Sequence, residues 1–261
     1  MSWRFAFSTL GCPGASLEDV LGLAAENDAQ GVELRVHEEE FLHLGLSEPE
    51  AAGIGEQVRA AGLAISALAG YVRVCRPGED ARVVEELRAL IRLAEVTGAE
   101  AVRVFPGGED EADAGAQDRI AAVLPQLRAA GVRLLVETHD SHPTGRQALR
   151  LVQELGEPRL AAVLWDGLHP WRSGEDPEET RELLGDHLAY FQVKDAVWRD
   201  GTWVPVVVGE GQVPVLQQAR LLQDFTGWVS LEWERRWHPQ IAPLAEALPP
   251  AASWFRRGNP A

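Results

Sequence analysis

One pattern constrains this chain more than any other. Short runs of β-type hydrophobicity are each followed by a longer stretch of helical periodicity, eight times in succession. The strands are expected at residues 3–7, 31–35, 64–68, 101–105, 133–137, 160–166, 188–194 and 228–234, and the helices at 17–28, 48–61, 81–97, 118–130, 145–155, 177–184, 215–225 and 243–255. Ser47-Glu-Pro-Glu50 and Thr144-Gly-Arg-Gln147 fit capping boxes, Asp176 before Pro177 is an N-cap with proline at the first helical position, and Gly98 and Gly131 stand just past helix ends. Eight βα units joined by right-handed crossovers close most economically as an α/β fold, a (βα)8 TIM barrel, and 261 residues suit a single such domain over 1–261. A doubly wound sheet does not need eight units, and no phosphate-binding glycine fingerprint follows the first strand. Residues 197–204 break the rhythm and read as a hairpin insertion between strands seven and eight, turning at Asp200-Gly201.

Charge and composition exclude several classes of function. With 24 basic against 40 acidic residues, the net charge of −16 repels phosphate backbones, so nucleic acid is not an expected partner. No apolar run approaches the roughly 18 residues of a membrane span. Two cysteines, Cys12 and Cys75, make no disulfide framework, and the opening residues lack a signal-peptide pattern; the expectation is a reduced, cytoplasmic protein.

Alternate residues of a barrel strand point into the lumen, so parity assigns faces. If Leu134, Val136, Val229 and Leu231 face the helices, then Glu137 and Glu232 face inward at strand carboxyl ends. The same parity turns Asp166, Gln192, Lys194, Glu33 and Arg35 inward. Glu137, Asp166, Gln192 and Glu232 are 29, 26 and 40 residues apart in turn, about one βα unit each, the last enlarged by the hairpin. Four adjacent strands thus bring Glu, Asp, Gln and Glu to one point on the rim where barrel chemistry resides. Three carboxylates this close call for a divalent cation, and oxygen ligands favour Mn²⁺ or Mg²⁺, with Co²⁺ or Zn²⁺ as alternatives.

Glu137-Thr-His139, Trp165-Asp166-Gly-Leu-His169, Gln192-Val-Lys194-Asp195, Gly209-Glu-Gly211 and Ser230-Leu-Glu232-Trp-Glu234 together resemble the strand-end motifs of the xylose isomerase-like TIM-barrel superfamily, nearest its sugar (phosphate) isomerases and epimerases. The resemblance covers nearly the whole chain. It implies one metal ion held at Glu137, Asp166, Gln192 and Glu232, with Gln192 standing where the family usually has histidine. It also implies that Glu137 and Glu232 pass a substrate proton through a cis-enediolate, and that His169 contacts substrate hydroxyls. Lys194 would stabilise enediolate charge, with His139 and Glu33 as further substrate-facing candidates. The implied partner is a small sugar, sugar phosphate or polyol. An inosose dehydratase-type lyase and a degenerate barrel that binds without turnover are the competing readings.

Structural readings stand beside these. Glu33, Arg35 and Arg103 read as an ion-pair cluster. Lys194 is the only lysine against 23 arginines, which points to a site that needs an amine. Trp165, Trp171, Trp198, Trp203, Trp233 and Trp237 gather near the last strand ends, as an apolar wall for a sugar or as a homo-oligomer interface.

Overall fold

In a computed structural model, which describes residues 3–108, 113 and 115–258, the expected alternation closes on itself. The strands are β1 (Arg4–Ser8), β2 (Gly31–Arg35), β3 (Ala64–Arg73), β4 (Ala101–Phe105), β5 (Arg133–Glu137), β6 (Ala161–Asp166), β7 (Leu188–Val193), β8 (Asp195–Arg199), β9 (Thr202–Val206) and β10 (Trp228–Leu231). Eight of them form a closed barrel in the order β1-β10-β7-β6-β5-β4-β3-β2, all parallel in their pairings. β8 and β9 are the inserted hairpin. Asp200 and Gly201 both have positive φ, 48° and 82°, which suits a two-residue turn whose twist matches its strands.

The surrounding helices are α1 (Leu17–Glu26), α2 (Glu48–Ala60), α3 (Asp80–Thr97), α4 (Ala116–Ala121), α5 (Leu124–Ala130), α6 (Gly145–Arg150), α7 (His169–Arg172), α8 (Pro177–Leu184), α9 (Val215–Leu221) and α10 (Leu244–Gly258). The helix expected over 118–130 is two. Pro125, in the first turn of α5, has no N–H to continue the ladder from α4. α10 holds in spite of Pro249 and Pro250, because its buried face, including Leu248, Ala251 and Trp254, packs onto the barrel, with Trp254 5.7 Å from Trp3. β3 runs five residues beyond its expected end, and that extension carries Tyr71 and Arg73 to the barrel mouth.

Parity sorts the core as expected. Leu134, Val136, Val229 and Leu231 belong to the apolar layer between strands and helices. A separate cluster of Ala6, Ala67, Ala101, Leu135, Ala162, Leu164, Tyr190 and Trp228 plugs the lumen. Two residues further along β5, β6 and β7 stand Glu137, Asp166 and Gln192. The lumen is therefore apolar below and polar at its carboxyl end. Burial pushes the thiols of Cys12 and Cys75 up to about 12, matching packing roles and not nucleophiles. Among the described residues no helix is long and apolar enough to cross a membrane.

α2 and α3 pack closely at Gly55, where a Cβ would meet the Thr97 carbonyl oxygen at 2.1 Å, whereas a Cβ at Gly53 would meet nothing within 4 Å. Gly55→Ala is expected to destabilise by about 1–3 kcal/mol through forced separation of the helices. Gly53→Ala should be neutral or stabilise by up to about 1 kcal/mol from helix propensity. Urea denaturation of the two variants checks this pair, and equal midpoints would contradict the close packing.

Candidate active site

Strand register decides which inward side chains meet. Asp166 pairs across the ladder with Gln192, and Gln192 with Ser230, so Glu232 comes up beside them just past the end of β10. Glu137 closes the group from the end of β5. Oxygen atoms of Glu137, Asp166 and Glu232 all lie within 4.8 Å of one another, and the three residues are 1%, 0% and 5% exposed.

Two cations hold this charge. Lys194 Nζ contacts Glu232 Oε2, lies 2.6 Å from Asp166 Oδ2 and 3.1 Å from Glu234 Oε1. Arg103 Nε stands 3.2 Å from Glu137 Oε2. Burial works against the Lys194 ammonium, yet Asp166, Glu232 and Glu234 lift its pKa well above the usual lysine range, so it stays charged. Burial also raises the Glu137 carboxyl, and raises Glu232 far above the ordinary range, against the pull of Arg103 and Lys194 respectively.

The carboxylate of Asp166 is divided between two tasks. Its Oδ1 accepts the backbone N–H groups of Leu168 at 2.8 Å and His169 at 3.1 Å, while the Thr138 hydroxyl accepts the Asp166 N–H at 3.0 Å. That leaves Oδ2 for the lumen. Asp166 Oδ2, Glu137 Oε2 and Gln192 Oε1 are buried and make no directed hydrogen bond, although the first two sit beside cations. A buried acceptor without a donor costs about 1–3 kcal/mol, and Gln192 Oε1 is one. With three buried carboxylates whose oxygens lie within 4.8 Å of one another, it makes an oxygen-rich set that suits a divalent ion, and Glu137, Asp166, Glu232 and Gln192 are the residues that would hold it.

The two histidines lie beside this group. Arg172 Nη2 donates to His169 Nδ1 at 2.8 Å, so a neutral ring carries its proton on Nε2, 3.7 Å from Asp166 Oδ2. His169 then suits donation better than ligation, which favours the three-carboxylate group over the alternative of Glu137, His139 and His169. The His139 ring packs 4.4 Å from His169 and 4.5 Å from Phe105, with Nδ1 2.7 Å from Asp140 Oδ1.

Above the carboxylates opens a cavity of about 310 Å³ lined by Tyr71, Arg73, Arg103, Phe105, His139 and Trp237, with Glu137 and Glu232 at its base. Larger hollows lie elsewhere, one of about 940 Å³ along α3 and one of about 620 Å³ at the opposite barrel end. Neither contains the buried carboxylate group, and chemistry outweighs volume here.

Several expected contacts differ. Glu33 is fully buried and does not line the cavity; its carboxylate accepts Gln192 Nε2 at 3.0 and 3.3 Å. It pairs with neither neighbouring arginine. Arg35 pairs with Glu40 at 2.5 Å and donates to the Tyr71 hydroxyl, while Arg103 serves Glu137. Of the six tryptophans only Trp237 lines the cavity. Trp171, Trp203 and Trp198 meet edge to face in succession on and beside the hairpin, Trp165 packs on Phe191, and Trp233 Nε1 donates to the Ala242 carbonyl. Asp195 and Gly209-Glu-Gly211 form a structural tie: the carboxylate accepts backbone N–H groups from Ala196, Gly209, Gly211 and Val213. Glu40, Tyr71 and Arg73 were not among the residues singled out from sequence, and Glu234 stood there only as the end of the motif over 230–234, with no role. Only Glu234 carried a signal, two positions past Glu232 on the same face.

Burial, with Lys194 nearby, lowers the His169 pKa well below 6.5. Between about 6.5 and that lower value the unfolded chain binds a proton the folded chain refuses, so stability falls as pH falls. The raised Glu137 and Glu232 tilt the balance the opposite way, so the variant must be compared with wild type. His169→Asn is expected to remove ~1 kcal/mol of acid destabilisation between pH 6.5 and 5.5. Urea midpoints across that window measure it, and identical pH slopes would show that His169 is not held neutral.

Comparison with known proteins agrees with this architecture. Residues 21–258 match the family model described as xylose isomerase-like TIM barrel. A 3-dehydroshikimate dehydratase of Bacillus anthracis is 25% identical over 191 residues, covering 69% of this chain and 66% of that protein. The chain spans between about half and two thirds of the curated relatives it matches. An L-ribulose 3-epimerase structure superposes with a TM-score of 0.80 at 15% identity, over 98% of this chain and 94% of that one. The IOLI protein with a bound zinc atom does so with a TM-score of 0.78 at 16% identity, over 98% and 97%. With a closed (βα)8 barrel and a family model matched over nearly its whole length, the chain belongs to the xylose isomerase-like TIM barrel family.

Proposed function

We propose that this member of an enzyme family removes a proton from the carbon next to a carbonyl in a small polyhydroxylated substrate, with one divalent ion, Mn²⁺ or Mg²⁺, at Glu137, Asp166, Gln192 and Glu232. The observation that carries the reading is the burial of three carboxylates within 4.8 Å of one another, two of which, Glu137 and Glu232, form the base of an open cavity. When bound, the ion would polarise the carbonyl and acidify the neighbouring C–H. Glu137 accepts that proton. Arg103 beside it opposes the charge penalty of burial, so that a basic carboxylate is kept in a site largely closed to water. Lys194 holds Glu232 and Asp166 in place and presents positive charge where the substrate oxygen becomes anionic. His169, buried and outside the cavity lining, packs against the His139 ring with its Nε2 3.7 Å from Asp166 Oδ2, and Phe105, Tyr71 and Trp237 supply an apolar wall.

Two completions share this first step. Return of a proton from Glu232, on the neighbouring carbon or the opposite face, makes an isomerase or epimerase; the two carboxylates together at the cavity base support it. Departure of a β-hydroxyl as water, with a proton supplied by Glu232, makes a dehydratase. Arg73 and Arg103 at the cavity suit a substrate carboxylate, which, with the similarity to a 3-dehydroshikimate dehydratase, supports this second reading.

The test is turnover in D₂O with Mn²⁺ or Mg²⁺, using ketohexoses, ketopentoses and 3-dehydroshikimate. Isomerisation or epimerisation gives new sugar resonances with deuterium in or out at the reacting carbon; dehydration of 3-dehydroshikimate gives an ultraviolet-absorbing dihydroxybenzoate. Glu137→Gln is expected to lower kcat by about 10²–10⁴. Metal content must be measured in parallel, since the change alters a ligand as well as a base. Substrate turnover without cleavage of the C–H bond would exclude the mechanism. A melting temperature unmoved by chelator or by excess Mn²⁺ and Mg²⁺ would exclude the metal.

A further inference from the structure

Gln192 makes an unusual set of contacts. Its Nε2 donates to Glu33 Oε1 at 3.0 Å, Glu33 Oε2 at 3.3 Å and Glu232 Oε1 at 3.2 Å. Every one of these partners is a carboxylate oxygen. A side-chain amide has an NH₂ end that donates and a carbonyl end that only accepts, so two carboxylates on one side leave a single favourable orientation. Turning the amide over would set its oxygen against them. Gln192 Oε1 is thereby directed away from Glu33, and it is buried without a hydrogen-bond partner.

Glu33 lies on β2, separated from β7 by β1 and β10 in the closed barrel, so this contact crosses the lumen. Both residues are fully buried. Glu33 has no place in the cavity wall; its carboxylate accepts the Gln192 amide and also faces the Tyr190 hydroxyl. The arrangement makes sense if the amide oxygen is wanted on the opposite side.

We propose that Glu33 is a positioning residue that fixes Gln192 as an oxygen donor and thereby sets the ion preference of the site toward Mn²⁺ and Mg²⁺ and away from Zn²⁺. The inference rests on the metal-dependent reading above. An amide oxygen is a harder ligand than an imidazole nitrogen, and nitrogen ligation is where zinc gains over manganese. Replacing Glu33 by glutamine gives position 33 both a donor and an acceptor. The Gln192 amide then has partners in either orientation, and in one of them its NH₂ group, which binds no cation, replaces the oxygen.

The experiment is isothermal titration of metal-stripped protein with MnCl₂ and ZnSO₄, with melting temperatures of the metal-free proteins recorded alongside. Wild type is expected to bind Mn²⁺, and Asp166→Asn to lose that binding. Glu33→Gln is expected to bind Mn²⁺ about 10–100-fold more weakly, the range seen when an outer partner of a metal ligand is removed. Gln192→His keeps Glu33 in place and allows its ring N–H to donate to that carboxylate while the other nitrogen faces the ion. It should shift the Zn²⁺-to-Mn²⁺ affinity ratio at least about tenfold toward zinc, and it supplies the test if Glu33→Gln does not fold. A Glu33→Gln protein that binds Mn²⁺ as wild type does, or an unchanged affinity ratio in Gln192→His, overturns the positioning role while leaving the metal-dependent reading intact. Wild type that binds neither ion overturns both.

Discussion

Burying Glu137, Asp166 and Glu232 within 4.8 Å of one another is the demand around which the carboxyl end of this barrel is organised. Like charges in a poorly solvated space repel strongly, so positive charge must stand among them. Lys194 meets part of that demand. A compact ammonium on a flexible stem reaches Asp166, Glu232 and Glu234 from one position, where a planar guanidinium would need more room. This accounts for one lysine in a chain that otherwise uses arginine. Arg103 supports Glu137 from the neighbouring strand β4, and Gln192 Oε1 is left buried without a hydrogen-bond partner.

The charge is confined to the carboxyl end because apolar side chains fill the lumen beneath it. Leu135, Leu164, Tyr190 and Trp228, packed among alanines, form a plug on which the polar layer rests. Backbone ties then fix the strand ends. Asp166 binds the turn that follows it, and Asp195 gathers four N–H groups of the hairpin and the loop after it. Gly211 is part of that tie, since a Cβ there would meet Asp195 Oδ1 at 2.1 Å. Rigid strand ends carry the charged groups, and the cavity wall is completed by Tyr71, Arg73 and Trp237 from the mouth.

The position at 192 links fold and chemistry. A strand residue pointing into the lumen is set by parity, but which end of its amide faces the carboxylates is set by Glu33 across the barrel. Two residues 159 positions apart in sequence are thus tied directly, while Gln192 also donates to Glu232.

Sequence alone determined the eight βα units, the Asp200-Gly201 hairpin and the inward parity of Glu137, Asp166, Gln192 and Glu232. Each is a local property: hydrophobic period, turn chemistry and alternation along a strand act over a few residues. Parity could not say which inward charges pair, because that depends on shear and on side-chain reach across the lumen. Glu33 and Arg35 share a face, yet one turns to Gln192 and the other to Glu40. The late tryptophans cluster along the chain, but only Trp237 reaches the cavity. Pro125 splits a helix whose periodicity reads straight through it, and β3 extends past its hydrophobic run because β4 offers backbone partners there. Tertiary structure alone decided these points, since each depends on atoms brought together from distant parts of the chain by closure of the barrel.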